Sequence, residues 1–102
     1  MQLALTFAPA DARLLHNYGL ALTRAKLWTR AEAALRQAAA NAPQRPESYY
    51  ALADALTGLG RVREAIAAVQ RGLELDPENT ARYYQLAVLF IEQNQDEAAR
   101  LT

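Results

Sequence analysis

Residues 43–77 read PQRPESYYALADALTGLGRVREAIAAVQRGLELDP and run from one proline to another. Pro9 lies 34 residues before Pro43, and Pro77 lies 34 residues after it. Six residues after each of these prolines comes a large apolar residue: Leu15, Tyr49 and Tyr83. A fixed period of this length is the signature of a repeat architecture. The chain is therefore predicted to consist of similar units stacked side by side.

Apolar residues inside each unit follow the period of an α-helix. Leu15, Tyr18, Gly19 and Leu22 stand at positions i, i+3, i+4 and i+7, which form one face of a helix. The second unit repeats this face at Leu52, Leu56 and Leu59. The fold class predicted is all-α.

Each unit should contain a second helix after a tight turn. Gly60 and Asn94 stand where a first helix could end in a left-handed residue. Proline cannot continue a helix, so Pro43 and Pro77 should close the second helices. Those helices are predicted to begin near three residues: Trp28, Val62 and Asp96.

The spacing resembles that of the tetratricopeptide repeat family, whose motif is W-x2-L-G-x2-Y, then A-x3-F, then P, over 34 residues. The resemblance covers nearly the whole chain. It implies a right-handed superhelical stack of antiparallel helix pairs with a concave groove that binds a protein or peptide. The matching residues are Leu15, Tyr18, Gly19, Leu22, Ala31, Leu35 and Pro43; Tyr49, Leu52, Ala53, Leu56, Ala65, Val69 and Pro77; and Tyr83, Leu86, Ala87, Phe90 and Ala98.

These matches divide the chain into a single array of units. Residues 1–11 resemble the tail of a preceding repeat, 12–45 form repeat 1, 46–79 form repeat 2, and 80–102 form a truncated repeat 3 that lacks one turn residue. No polar capping unit is visible, and solenoids normally need one. We therefore expect a fragment of a longer protein, with two uncapped apolar ends through which copies could stack head to tail.

Family members line the groove with the face of each first helix that lies opposite its core face. The resemblance thus implies a mixed groove that is basic and polar at one end, carries two carboxylates in the middle, and is aromatic and aliphatic at the far end. Tyr50 and Tyr84 would lie on adjacent helices as anchors for a ligand, or else pack against neighbouring helices. The implied groove residues are Arg13, His16, Asn17, Leu20, Arg24, Glu47, Tyr50, Asp54, Tyr84, Gln85, Val88 and Ile91, together with Thr23, Thr57 and Glu92.

Chaperone-binding members of the family hold a C-terminal carboxylate with a Lys/Asn/Arg clamp. The matching positions here do not carry that clamp, so we do not expect binding of a chaperone tail of that type. These positions are His16, Leu20, Ala51, Ala81 and Gln85.

Several kinds of chemistry are not expected. Eleven basic residues balance eleven acidic ones, which disfavours nucleic acid and anionic membrane as partners. With no cysteine and no metal-ligand spacing, no metal or other cofactor is predicted. His16 and Ser48 fall in different units and should not form a catalytic pair, and Gly58-x-Gly60 is predicted to be a helix end. Trp28 is predicted to be a core residue.

Three functions fit this pattern. The first is a non-enzymatic scaffold that binds a protein or peptide. The second is an accessory module of a larger enzyme, such as a glycosyltransferase or hydroxylase, and the third is a self-assembling structural array. Ten arginines against one lysine are typical of GC-rich bacterial genomes. Residues 1–10 lack a basic leader, and no apolar run is long enough to span a membrane. The compartment stays open: a cytoplasmic location is slightly favoured, and a periplasmic one fits if the parent chain carries a signal.

Overall fold

The computed structural model describes residues 11–101, with side chains described for residues 11–95. This part of the chain contains five α-helices and no strand, which confirms the all-α prediction. The tail predicted for residues 1–11 lies almost entirely outside the described residues. The helices are α1 (Ala12–Arg24), α2 (Trp28–Asn41), α3 (Pro46–Gly58), α4 (Val62–Leu75) and α5 (Thr80–Leu101).

Local sequence signals explain where the helices begin. The Asp11 carboxylate accepts hydrogen bonds from the backbone N–H groups of Arg13 and Leu14, at 3.0 and 3.2 Å, and so caps α1. Helix α3 begins with Pro46, whose fixed φ suits a first turn, and Glu47 follows, where an acid favours the helix dipole. The predicted starts of α2 at Trp28 and of α4 at Val62 are confirmed.

Left-handed residues make the turns inside the first two helix pairs. Gly60 has φ +77°, and Lys26, one period earlier, has φ 62°. The turns bring α1 against α2 and α3 against α4. Small side chains allow close packing at these contacts, since Ala31, Ala53 and Ala65 are fully buried. The core continues from one pair to the next because α2 also packs against α3.

The repeat is visible in individual hydrogen bonds. The Tyr49 hydroxyl donates to the Pro43 carbonyl at 3.2 Å, and the Tyr83 hydroxyl donates to the Pro77 carbonyl at 2.9 Å. Each bond ties the start of a first helix to the loop before it. The proline-containing loops are thus held in the same way one period apart.

Ion pairs on exposed surface join the second helices of the first two units. Glu32 on α2 accepts hydrogen bonds from Arg36 at 2.8 Å and from Arg61 at 2.7 Å. Glu64 on α4 accepts from Arg61 at 2.6 Å and from Arg36 at 3.1 Å. The four side chains form a network between the two helices.

The third unit departs from the prediction. Helix α5 is continuous from Thr80 to Leu101, so the predicted turn at Asn94 and the predicted new helix at Asp96 are both wrong. The physical reason is local: residues 91–101 contain no glycine or proline, and each of them can continue a helix at modest cost. Within residues 11–101, no helix combines the length and the apolar character that crossing a bilayer requires.

Candidate functional site

Two neighbouring cavities lie along the first helices α1, α3 and α5. The first has a volume of about 300 Å³, and half of its lining residues were among the implied groove positions. The second is about 450 Å³. Asp54 borders both, so the two cavities adjoin. The first is lined by His16, Leu20, Pro46, Glu47, Tyr50, Ala51, Asp54, Asp76, Asn79 and Arg82.

Tyr50 forms a wall of the first cavity. Its side chain is only 4% exposed and its ring packs against Gly72 of α4. Its hydroxyl donates to the Asp76 carboxylate at 3.4 Å, and burial together with that carboxylate raises the pKa of the phenol. Tyr84, in the same slot of the next unit, is 73% exposed. The sequence left two interpretations of this tyrosine pair, as ligand anchors or as packing residues. Tyr50 packs between helices, whereas Tyr84 is open to solvent.

Carboxylates outnumber cations around the first cavity. Asp54 accepts a hydrogen bond from Gln85 Nε2 at 2.9 Å and lies 3.9 Å from the Arg82 guanidinium. Asp76 accepts from Asn79 Nδ2 at 3.0 Å. Glu47 is the third carboxylate of the lining, and Arg82 is its one arginine. The lining therefore carries more negative than positive side chains.

The structure brings together His16 and Ser48, which the sequence had placed in separate units. Ser48 Oγ lies 3.4 Å from His16 Nδ1. The Ser48 side chain is 2% exposed, so its hydroxyl is closed off from any substrate. Burial lowers the pKa of His16, an effect that Glu47 partly opposes and Arg45 reinforces. The pair is a packing contact between α1 and α3 and not a nucleophile with its base.

The second cavity has a more apolar lining. Trp28, expected in the core, is only partly buried; it packs against Gly58 and faces this cavity. Val88 and Leu89 of α5 also line it. The complete lining is Thr23, Trp28, Asp54, Thr57, Gln85, Val88, Leu89 and Glu92.

The structure thus gathers some of the implied groove residues and leaves others outside the two cavities. The ones outside are Arg13, Asn17, Arg24, Tyr84 and Ile91. Sequence reasoning missed Asp76, Asn79 and Arg82, which reach the first cavity from the loop before α5 and from its first turn. Their positions in the sequence could have indicated a place in the cavity. They lie in the loop and first turn that lead into α5, and this segment runs beside α3.

A tetratricopeptide repeat profile matches residues 22–86 and again residues 56–102. The chain belongs to the tetratricopeptide repeat family. Repeat domains of this family are generally non-catalytic interaction modules. Among residues 11–101, no group of three or more His, Cys, Asp or Glu side chains is placed to hold a metal ion. Comparison with proteins of curated function found no match.

Solved tetratricopeptide structures superpose well on the chain. A Thermobaculum terrenum O-GlcNAc transferase (K341M mutant) is 29% identical, with TM-score 0.78 over 83% of this chain and 16% of the transferase. The first repeat domain of Spaghetti (RPAP3), bound to the HSP90 peptide SRMEEVD, is 26% identical, with TM-score 0.81 over 84% of this chain and 68% of that one. MamA from Desulfovibrio magneticus RS-1 is 25% identical, with TM-score 0.83 over 94% of this chain and 54% of the MamA chain. The chain thus corresponds to a small part of the transferase and to about half of MamA.

Proposed function

We propose that this tetratricopeptide array binds a segment of another protein along α1, α3 and α5. A basic side chain of that segment enters the first cavity, and an apolar side chain enters the second. The observation that carries this proposal is the pair of adjoining cavities that share Asp54. The lining of the first contains three carboxylates, and the lining of the second contains Trp28 and Val88. The similar structure with a bound peptide supports the class of partner.

The carboxylates of the first cavity favour a basic side chain of the ligand over a neutral or acidic one. Arg82 already stacks on Tyr50 and donates to Gln85 Oε1 at 2.7 Å, so it is held against the wall. Glu47 and Asp54 are both exposed and available to a lysine or arginine of the ligand. Such charge-assisted hydrogen bonds are about twice as strong as neutral ones. The same carboxylates oppose an acidic segment such as SRMEEVD, in keeping with the absent clamp, and they also oppose nucleic acid.

Apolar contact supplies the second part of recognition. Trp28, Val88 and Leu89 line the second cavity, and Val88 is 52% exposed. Tyr84 and Ile91, at 73% and 57% exposed, extend this apolar surface along α5. An aromatic side chain that buries its body there would contribute most of the affinity, as anchor residues do in other interfaces.

The test is a selection of binding peptides from a random displayed library, followed by titration of selected peptides. Trp28 is the one tryptophan of the chain and lines the second cavity, so its fluorescence reports occupancy directly. We expect selected peptides to share a Lys or Arg next to an apolar residue. Replacing that basic residue by Glu should weaken binding at least tenfold.

Two matched variants separate the site from general charge. Asp54→Lys reverses a carboxylate shared by both cavities, whereas Glu74→Lys makes a comparable charge change on exposed surface of α4 outside them. We expect Asp54→Lys to abolish binding and Glu74→Lys to preserve it. Equal effects of the two variants, or selected peptides that are acidic, would refute the proposal.

A second candidate function follows from one comparison. The O-GlcNAc transferase shares 29% identity with the chain across one repeat segment of a much longer protein. As an accessory module of such an enzyme, the groove would recruit the enzyme's protein substrate, and catalysis would take place elsewhere. Sequencing the parent reading frame tests this directly, since a catalytic domain in the same frame is required.

A further inference from the structure

Helix α5 carries an open face, made of Tyr83, Leu86, Ala87 and Phe90, of which Leu86 is already partly buried against the core. Tyr83 is 47% exposed and Phe90 is 41% exposed. In the first two units most of the corresponding slots are covered: Leu15 is 4% exposed, Leu22 7%, Leu52 6%, Ala53 0% and Leu56 1%, whereas Tyr49 is half-buried and Tyr18 is 37% exposed. The open face therefore has the composition of a core surface but lacks the cover that the other units have.

In the first two units, the cover is the second helix of the same unit. Helix α2 covers α1 by way of the turn at Lys26, and α4 covers α3 by way of the turn at Gly60. Asn94 is the residue one period after Gly60, but it continues α5 as a helix. A straight helix cannot fold back on its own side, so the segment after Asn94 does not cover the open face of its own chain.

We infer that a second copy of this chain covers the open face, with the segment after Asn94 of each copy lying antiparallel against Tyr83, Leu86, Ala87 and Phe90 of the other. The register supports this occupant. Ala98, in that segment, is the sequence match of Ala31 and Ala65, which are fully buried where α2 and α4 cover their partners. The exchanged contact thus reproduces, between two chains, the packing that the repeats make within one.

Symmetry makes this arrangement closed. Each copy gives one segment and receives one, so the contact is isologous and stops at a dimer. This differs from head-to-tail stacking, which would need residues 1–10 and would continue without limit. Tyr83 is already held in place by its hydrogen bond to the Pro77 carbonyl, so the open face is preformed.

Asn94 fits the role of hinge for such an exchange. Asparagine is, after glycine, the residue that most readily adopts the left-handed conformation of the turns at Lys26 and Gly60. It is also tolerated in a helix. The same sequence can therefore close as a helix pair within one chain or extend as α5, and exchange of an identical element is a low-cost route to a dimer.

Disulfide trapping tests whether the open face is covered by the same chain or by a second copy. The test is clean because the chain contains no cysteine of its own. Ala87→Cys and Ala98→Cys are combined in one chain, and each is also made alone. We expect mild oxidation to give a covalent dimer of the double variant and no dimer of either single variant. An internal disulfide in a monomer would mean that the segment folds back, and no disulfide would mean that it lies elsewhere; either result would overturn the inference.

Sedimentation analysis of hinge variants gives an independent test that leaves the groove untouched. Asn94→Ala favours the continuous helix and Asn94→Gly favours the turn, by about fivefold per chain from their helix propensities. Because both chains of a dimer must be extended, Asn94→Gly should dissociate more readily than Asn94→Ala, with a ratio of dissociation constants that rises to about 25-fold as the closed fraction of the free chain rises. Phe90→Glu should be monomeric with unchanged helix content. An unmodified chain that stays monomeric at every concentration, or a tighter dimer for Asn94→Gly than for Asn94→Ala, would contradict the exchange.

Discussion

The Arg82 guanidinium lies 4.6 Å from the centre of the Tyr50 ring and so connects the first turn of α5 to the middle of the array. The Tyr50 ring also packs on Gly72 of α4, and its hydroxyl reaches Asp76. One aromatic residue of α3 therefore contacts α4, the loop after it and α5. A cation held over a partly desolvated ring is worth about 0.5–2 kcal/mol, which adds to the burial of the ring itself.

Replacing Tyr50 by Ala should be far more damaging than replacing Tyr84, although the two residues occupy the same slot of successive repeats. Tyr50→Ala removes a side chain that is 4% exposed, and loss of a buried aromatic ring costs about 3–5 kcal/mol. Tyr84→Ala changes a side chain that is 73% exposed and should stay within about 0.5 kcal/mol. Urea denaturation followed by circular dichroism measures both. Similar midpoints for the two variants would show that Tyr50 does not hold the helices together.

Gly72→Ala should destabilise the array even though alanine is the better helix former. The gain in helix propensity is about 1 kcal/mol, but the new Cβ would collide with the Tyr50 ring, and overpacking of a core costs about 1–3 kcal/mol. We expect a net loss of about 1 kcal/mol by thermal or urea denaturation. Combining Gly72→Ala with Tyr50→Leu, which removes the ring, should recover the propensity gain. Additive effects of the two substitutions would show that the collision is absent.

The helices of the first two units could be predicted from sequence because their pattern is local. The spacing of apolar residues fixes the phase of each helix, and Gly60 and the prolines mark their ends. The prediction of a turn at Asn94 was wrong because such local residues are missing there. The repeat register indicated a turn, but no residue between 91 and 101 prevents a helix. A periodic pattern shows where a chain can turn and does not require that it turns.

The candidate site was harder to predict because it depends on contacts between repeats. His16, Tyr50 and Tyr84 share one slot, yet they are half-buried, buried and exposed in turn. What differs is the neighbour that each one meets in the next unit: Ser48 for His16, and Gly72 with Arg82 for Tyr50. No spacing within one repeat encodes those neighbours. The sequence therefore indicated which helices line the groove but not which side chains form its walls.

Acid should destabilise the array through His16. Burial lowers the pKa of His16 below its ordinary value of about 6.5, so the unfolded chain takes up this proton at a higher pH than the folded chain does. The stabilisation from neutral His16 is then present above about pH 6.5 and is lost as the pH falls through the folded pKa. His16→Gln should lack this loss, and the difference between the two proteins isolates it from the carboxylates.

Because the chain has a single histidine, NMR titration of its ring reports the folded pKa without ambiguity. Glu47 stabilises the charged ring and works against the shift, so Glu47→Gln should lower the pKa further. A folded pKa at or above 6.5 would show that the carboxylate outweighs burial.

Exchanging the residues at the two turns should stabilise one of them and weaken the other. Lys26 and Gly60 both lie in the left-handed region, at φ 62° and φ 77°. That conformation costs a residue with a Cβ about 1–2 kcal/mol, whereas glycine gives back about 0.4–1 kcal/mol through the greater freedom of the unfolded chain. Lys26→Gly should therefore stabilise the array by about 0.5–1 kcal/mol, and Gly60→Lys should destabilise it by a similar amount. Lys26→Ala removes the lysine side chain but keeps the Cβ, so it separates the backbone effect from the loss of that side chain. If Lys26→Ala stabilised the array as much as Lys26→Gly does, the strain at this turn would not come from the left-handed backbone.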